Sequence, residues 1–477
     1  MLFTNQLNPI QLYSISKIFL LKKRLNKHNS IANCFTKMKI FFSLNHFLPH
    51  HLAGIEVYTF NLARSLQNAG AEVAVLIPFF DNAQNDEYNF EGIRVIRYAE
   101  NSISSRKMIM GKIEPQGLAA FVAILVAERP DLVHFQELSA GRGVNLFHVK
   151  AVAAMGIKIL LTCHLSTYSC QTGNLVYKDE LLCDGIIRTH VCTACAYHAR
   201  GINGVKSMLL QSASKLLYAA GFNSTHLNSA SGTAIGFPFV IDKKKQELLQ
   251  LTELCSRVVV LTQWYKKILQ ANGVPAEKIQ YCAQGLTGKI VTGKANKISL
   301  PIRLIFVGRV SKYKGLHLLL EALEGLPAHK INLAIYGPVT EDEYGKSCRK
   351  QSATMENVFW KGTIAPDKVI EMLSDYNLLC LPSTFSEMSP LVIPEAFAAG
   401  IPVLASKVYG NAEQVQDGVN GWLFDFKSVA SLKEKLAMLI ENPSLIDMAK
   451  KNLPVARSFD AVAGEHLEMY KSVLGEK

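Results

Sequence analysis

From Met38 onward the chain alternates short β-rich runs with segments of helical period, and it does so in two series. The first holds "KIFFSL", "EVAVLIP", "IRVIRY", "DLVHFQ", "IKILLTC" and "RVVVL", with helix-forming stretches such as "EVYTFNLARSLQNAG" between them. The second runs through "IRLIFVG", "INLAIYG", "NVFWKG", "NLLCLPS" and "PVLAS". A helix between consecutive strands carries the chain back across the sheet, so neighbours lie parallel and both faces are covered. Two such series, joined by "GLTGKIVTGKANKISLP" from Gly285 to Pro301, predict an α/β chain of two doubly wound domains. A length of 477 residues, too long for one core, agrees. The expected boundaries are 38–290 with a cysteine-rich insert at 165–200, then 291–458, then a helix at 459–477 returning toward the first domain. Ligands of such sheets bind at the carboxyl ends of the strands.

Residues 1–37 do not read as part of this fold. They carry Lys17, Lys22, Lys23, Arg24, Lys27 and Lys37 and no acidic residue, half of the chain's formal +12. The apolar stretch "KIFLL" is too short for a signal peptide and no small-residue cleavage site follows. A start codon chosen upstream, a basic membrane-surface helix and a transit-like presequence are the three readings, in that order. The other 440 residues are only mildly basic. They show no concentrated stripe with base-reading residues, so nucleic acid is not an expected partner. "DKKKQ", around Lys243 to Lys245, reads as a solvated helix face. The best apolar run, "LAAFVAILVA", is about half the ~20 residues a membrane span needs and is predicted to be a buried helix.

Two stretches carry chemistry. In "FVGRVSKYKGLHLLLEAL" a strand ends at Val307, Gly308 allows close backbone approach, and Arg309 and Lys314 lie in the loop before a helix opening at Gly315. Two cations beside a strand end and a helix start suit a diphosphate, and no Gly-Lys-Ser/Thr follows to make it a P-loop. In "FSEMSPLVIPEAFAAGIPVLAS", Glu387 and Glu395 stand with seven residues between them. Ser389-Pro390 reads as N-cap and first helical residue, which puts Glu387 just before a helix start and Glu395 one to two turns in. The positive helix end faces an anion while carboxylates accept hydrogen bonds from hydroxyls, the combination a nucleotide-sugar requires.

These stretches, with "GNAEQVQDGVNGWLF", "FLPHHLAGIEVYTFNLARSLQNAGAEVAVL", "PDLVHFQEL" and "LLTCHLSTY" in that family's order, resemble the family 4 retaining glycosyltransferases (glycosyltransferase group 1). The resemblance runs from Met38 to the C-terminus. It implies two Rossmann-like domains facing a central cleft, the GT-B fold, and a hexosyltransferase-type enzyme active in surface polysaccharide or glycolipid assembly. It implies that Arg309 and Lys314 neutralise the donor diphosphate in place of a metal, so that no cofactor is required for catalysis. Glu387 would bind the transferred sugar and Glu395 the ribose. Gly54 and Gly308 would admit the donor, and His164 would sit by the reacting sugar. His134 matches a histidine-bearing strand end and reads equally as a supporting residue. Two departures stand out. Ala53-Gly54 replaces paired glycines, and Pro390 replaces a glycine, so oxyanion contacts beside Ser389 fall to the N–H groups of Leu391 or Val392. The expected partners are a nucleotide diphosphate-sugar, a saccharide or lipid-linked acceptor and peripheral contact with the inner membrane face, in a cytoplasmic protein.

Five of the ten cysteines fall between Cys163 and Cys195. Cys170, Cys183, Cys192 and Cys195 suit a structural zinc, the last two as a Cys-x-x-Cys half-site. An iron–sulfur cluster or four unrelated thiols are the alternatives, and disulfides would need an oxidising compartment. Three further functions compete with sugar transfer. A dinucleotide oxidoreductase has only "GRGVN", Gly141 to Asn145, to support it. A sugar-nucleotide epimerase shares the architecture, and a non-catalytic sugar-nucleotide-binding protein would keep the same fold.

Overall fold

The computed structural model describes residues 38–101, 105–139, 141, 143–227, 229–286 and 298–475. The basic extension and most of the Gly285–Pro301 connection lie outside the described residues. Residue contacts divide the chain into two compact units. One comprises Met1–Thr162, Gln250–Val258 and His466–Lys477; the other comprises Cys163–Leu249 and Val259–Glu465.

The strands of the first unit are β1 (Lys39–Ser43), β2 (Glu72–Phe80), β3 (Asp86–Phe90), β4 (Ile93–Glu100), β5 (Leu132–Phe135) and β6 (Lys158–Cys163). Their order is β6-β5-β1-β2-β4-β3. All neighbours are parallel except β3, which turns back antiparallel on β4. Buried runs such as Ile40 to Phe42 show that β1 is covered on both faces, as an interior parallel strand must be. Helix Leu118–Glu128 departs from the fully buried helix expected of its composition, because only Phe121 and Leu125 are buried. It lies on the unit as a cover, and residues four apart form the single stripe that meets the core. His134 is buried on β5. Its Nδ1 lies 2.7 Å from the Tyr470 hydroxyl of the last helix, Phe459–Leu474, and its Nε2 lies 2.8 Å from Thr162 Oγ1. With both ring nitrogens engaged by protein, His134 is a structural residue.

The second unit contains the hairpin β7 (Val176–Tyr177) and β8 (Leu181–Leu182), and the short β10 (Ile279–Tyr281) follows β9 (Arg257–Val260) in the chain. Its main sheet is built from β11 (Ile302–Val307), β12 (Ile331–Tyr336), β13 (Val358–Gly362), β14 (Leu378–Leu381), β15 (Val403–Ser406) and β16 (Gly421–Phe424). Every pairing is parallel, in the order β13-β12-β11-β14-β15-β16. Strand alternation sends Leu304, Phe306, Leu378, Cys380 and Leu404 into one apolar cluster. Ile305, Leu379, Leu381, Val403 and Ala405 enter the other. Each fully buried Leu or Ile contributes about 1.5–3 kcal/mol, so the two clusters hold the sheet rigidly from both faces. The strand order reverses between β11 and β14, which opens a crevice at their carboxyl ends. No helix among the described residues is long and apolar enough to cross a membrane.

Candidate functional site at the switch point

The loops after β11 and β14 meet at that reversal. Gly315 closes the first loop at φ +69°, and a Cβ there would lie 1.8 Å from the Pro382 carbonyl oxygen. Only glycine permits both the left-handed backbone and the contact. Thr384 fastens the second loop to the first, its N–H donating to the Tyr313 carbonyl (2.8 Å) and its hydroxyl to that of Lys312 (2.8 Å). Gly308, at φ +151°, hydrogen-bonds the Tyr336 carbonyl through its N–H, which aligns the ends of β11 and β12. The sequence thus fixes both loops by backbone contacts before any charged side chain is placed.

Lys314 and Glu387, seventy-three positions apart, come together at 2.6 Å between Nζ and Oε1. Ser383 Oγ donates to the same carboxylate oxygen at 2.7 Å. Glu387 is 6% exposed, so its charge depends on these two partners. Arg309 is exposed on the same loop and pairs with no acidic group among the described residues. The backbone behind Glu387 is equally constrained: a Cβ on Gly410 would lie 2.2 Å from the Glu387 carbonyl oxygen.

The helix of this region starts later than expected. Leu391 is its N-cap and the helix runs Val392–Ala398, so Ser389-Pro390 lies ahead of it. The reason is long-range. The Met388 carbonyl accepts from Trp264 Nε1 (3.3 Å) and the Ser389 carbonyl from Gln284 Nε2 (3.0 Å), so neither opens the helical ladder. The N–H groups of Leu391 and Val392 donate to no acceptor among the described residues, while those of Ile393 and Glu395 are engaged. Glu395 lies in the first turn, and burial pushes its carboxyl up to about 7.

The remaining expected residues are placed as follows. His164 follows β6 and is 8% exposed. Gly54 opens helix Gly54–Asn68 with nothing within 4 Å of an added Cβ. Cys170, Cys183, Cys192 and Cys195 line one cavity, and none is in a disulfide. Burial pushes the Cys183 thiol up to about 11 and raises Cys192 and Cys195, so all three are protonated thiols as they stand. Among the described residues no group of three or more His, Cys, Asp or Glu side chains is gathered in a ligating arrangement.

Several contributors have no local signature. Glu413 accepts the N–H groups of Gln263 (2.7 Å) and Trp264 (2.8 Å), capping helix Gln263–Ala271. Trp264 stacks on Tyr409 with 5.1 Å between ring centroids. Asp242–Lys245 is not uniformly solvated either, since Lys244 Nζ donates to the Thr167 carbonyl at 2.5 Å.

Two units of parallel α/β sheet, the second carrying anion-suited loops at its switch point, define the GT-B class of fold. Residues 52–187 match the family model Glycosyltransferase Family 4, and residues 293–454 match Glycosyl transferases group 1. The chain belongs to this glycosyltransferase family. Among its relatives is a putative colanic acid biosynthesis glycosyltransferase of Salmonella typhimurium, 29% identical over 177 residues, 35% of this chain and 44% of that one. The sulfoquinovosyl transferase of Arabidopsis thaliana is 27% identical over 190 residues, 37% of this chain and 36% of its own. The matched stretches therefore span less than half of these two relatives. Among solved structures, Anabaena HepE in complex with UDP and glucose superposes with TM-score 0.60 at 18% identity, covering 91% of this chain and all of that one. The sucrose-phosphate synthase of Thermosynechococcus elongatus gives 0.63 at 17%, covering 92% and all of its chain.

Proposed function

We propose that the chain is a retaining, hexosyltransferase-type glycosyltransferase. It moves a sugar from a nucleotide diphosphate-sugar to an acceptor hydroxyl in surface polysaccharide or glycolipid assembly. One observation carries the reading: the Lys314–Glu387 pair stands in the same loop system as the undonated Leu391 and Val392 N–H groups and the solvent-facing Arg309. Negative charge develops on the leaving diphosphate as the bond to the sugar breaks, and fixed cations and amide dipoles stabilise that charge without reorganising. Lys314 now neutralises Glu387. An arriving diphosphate shares that cation, and Glu387 accepts hydrogen bonds from sugar hydroxyls while Ser383 holds it in place. Glu395, once ionised, accepts from the ribose hydroxyls. His164 contacts the reacting sugar. The departing phosphate takes the acceptor's proton on the face it leaves, which retains the anomeric configuration. Catalysis in this scheme needs no metal, because Arg309 and Lys314 supply the positive charge.

The relatives' names support the pathway class, since they include lipopolysaccharide and amylovoran glycosyltransferases. A uridine diphosphate sugar is the first donor to try, HepE having been solved with UDP-glucose. A lipid-linked acceptor would place the enzyme in the cytoplasm, peripheral at the inner face of the membrane.

The test is nucleoside diphosphate release across a panel of donors, with NMR of the product. Acceptor-dependent release with a retained anomeric centre is expected. Release of a free epimer would identify the epimerase, and binding without turnover the non-catalytic protein. Arg309→Ala should lower kcat about 100-fold with an unchanged melting temperature, and near-normal turnover would reject the diphosphate role.

A further inference from the structure

The segment that carries the cysteine cluster has little regular structure of its own. Between His164 and helix Thr189–His198 its only strands are the two-residue β7 and β8. Cys170, Cys183, Cys192 and Cys195 line one pocket together with Leu175 and Ile186, without forming a ligating group as they stand. Cys170 interacts electrostatically with each of the other three. The four therefore lie near one another, although up to twenty-five positions apart in sequence.

Two further features suit a thiolate centre. One of the sulfurs receives a backbone N–H, Arg188 to Cys192 at 3.4 Å. Backbone N–H groups directed at sulfur stabilise the anion that a soft metal requires. Two cations also flank the group. Lys244 interacts with Cys170 and Cys192, and Arg188 with Cys183 and Cys192. A divalent ion bound by four thiolates carries a net charge of −2, which Lys244 offsets in part, with Arg188 shared between the site and Asp184 at 2.7 Å.

We propose that Cys170, Cys183, Cys192 and Cys195 bind one zinc-class divalent ion, and that this ion sets the position of Asn174 against the Glu387 loop. On ligation each S–H gives its proton to solvent and each sulfur donates an electron pair to the ion, with no change in oxidation state. In the metal-free arrangement the S–H groups of Cys192 and Cys195 turn to the Ile186 and Val176 carbonyls, at 3.9 and 3.6 Å. These are weak bonds that ligation replaces. The link to the donor loop is a chain of hydrogen bonds. Cys170 Sγ lies 3.3 Å from Thr172 Oγ1, Thr172 donates to Asn174 Oδ1 at 2.6 Å, and the Asn174 carbonyl accepts the Ser386 N–H at 3.0 Å, one residue before Glu387. Asp179, in the turn between β7 and β8, pairs with Lys312 at 3.8 Å, and its carbonyl accepts from Lys427. The cluster is thus a positioning element for the donor loops, and its metal binding stands on observations independent of the proposed reaction.

The test begins with full-length reduced protein purified without chelator. Elemental analysis should give about one zinc per chain. Cobalt exchange should give intense thiolate-to-cobalt charge-transfer absorption with tetrahedral ligand-field bands. Cys170→Ser and Cys195→Ser should each abolish those bands, and Cys348→Ala, buried elsewhere in the unit, should keep them. Absence of cobalt–thiolate bands in the unmutated chain would overturn the site even if every variant misfolds. Iron with acid-labile sulfide would overturn the single-ion assignment. For the positioning role, metal removal should raise KM for the donor while Asn174→Ala raises KM with zinc retained. Unchanged KM in both would overturn that role whether or not the metal binds.

Discussion

The loop after β1 and the loop after β11 share one plan: a buried parallel strand ends, a glycine follows, and a helix begins. The glycines do different work. Gly315 holds a left-handed backbone against the Pro382 carbonyl and is a structural requirement of the second unit. Gly54 opens its helix in open space with no strained dihedral, so nothing within its own fold demands glycine there. Gly315 is thus tied to packing, whereas the proposed donor approach at Gly54 can be tested without disturbing the fold.

The largest effect expected from this contrast is at Gly315. Gly315→Ala forces a Cβ onto a carbonyl oxygen and should cost about 3 kcal/mol or more. Chemical denaturation measures it, and a loss below 1 kcal/mol would remove the distinction. Next comes Glu395. Its carboxyl titrates near 7 in the native protein, above its ordinary value, so the native state holds the proton more tightly than the unfolded chain does. Native stability therefore falls as pH rises from about 4.5 to 7 and stays lower above that. Glu395→Gln removes this penalty. It should raise stability at about pH 8 by up to about 3 kcal/mol, leave it unchanged at about pH 4, and weaken nucleotide-sugar binding. Equal melting shifts at both pH values would show that the carboxyl is not desolvated. The smallest effect is at Gly54. Gly54→Ala should stabilise the unit by about 0.4–1 kcal/mol and still reduce turnover. A stabilised variant with full activity would show that no donor approaches there.

Much of this was legible because parallel strands announce themselves: "INLAIYG" is β12 and "PVLAS" is β15, buried runs bounded by glycine, proline or serine. The strands that escaped were those without such runs. β3 is "DEYNF", a polar antiparallel edge, and β7, β8 and β10 are only two or three residues long. Arg309, Lys314, Glu387 and Glu395 were visible as motifs, since their residue types and spacing state their chemistry. The Lys314–Glu387 contact was not, nor was the helix start at Leu391. Each depends on partners many positions away, Trp264 and Gln284 among them, whose reach no local pattern encodes. No ligating group is gathered among the described residues, but the four spaced cysteines line one pocket. Lys244 beside it was hidden inside a run of three lysines that reads as solvent-facing.

The Tyr470–His134 hydrogen bond has a consequence for biosynthesis. The hydroxyl that satisfies this buried imidazole of the first unit belongs to the last helix, hundreds of residues downstream. The sheet of the first unit therefore keeps an incomplete interior on the ribosome until Tyr470 has emerged. Chains released early, or carrying bulky fusions at the C-terminus, should be retained by chaperones or degraded even when the whole second unit has already folded.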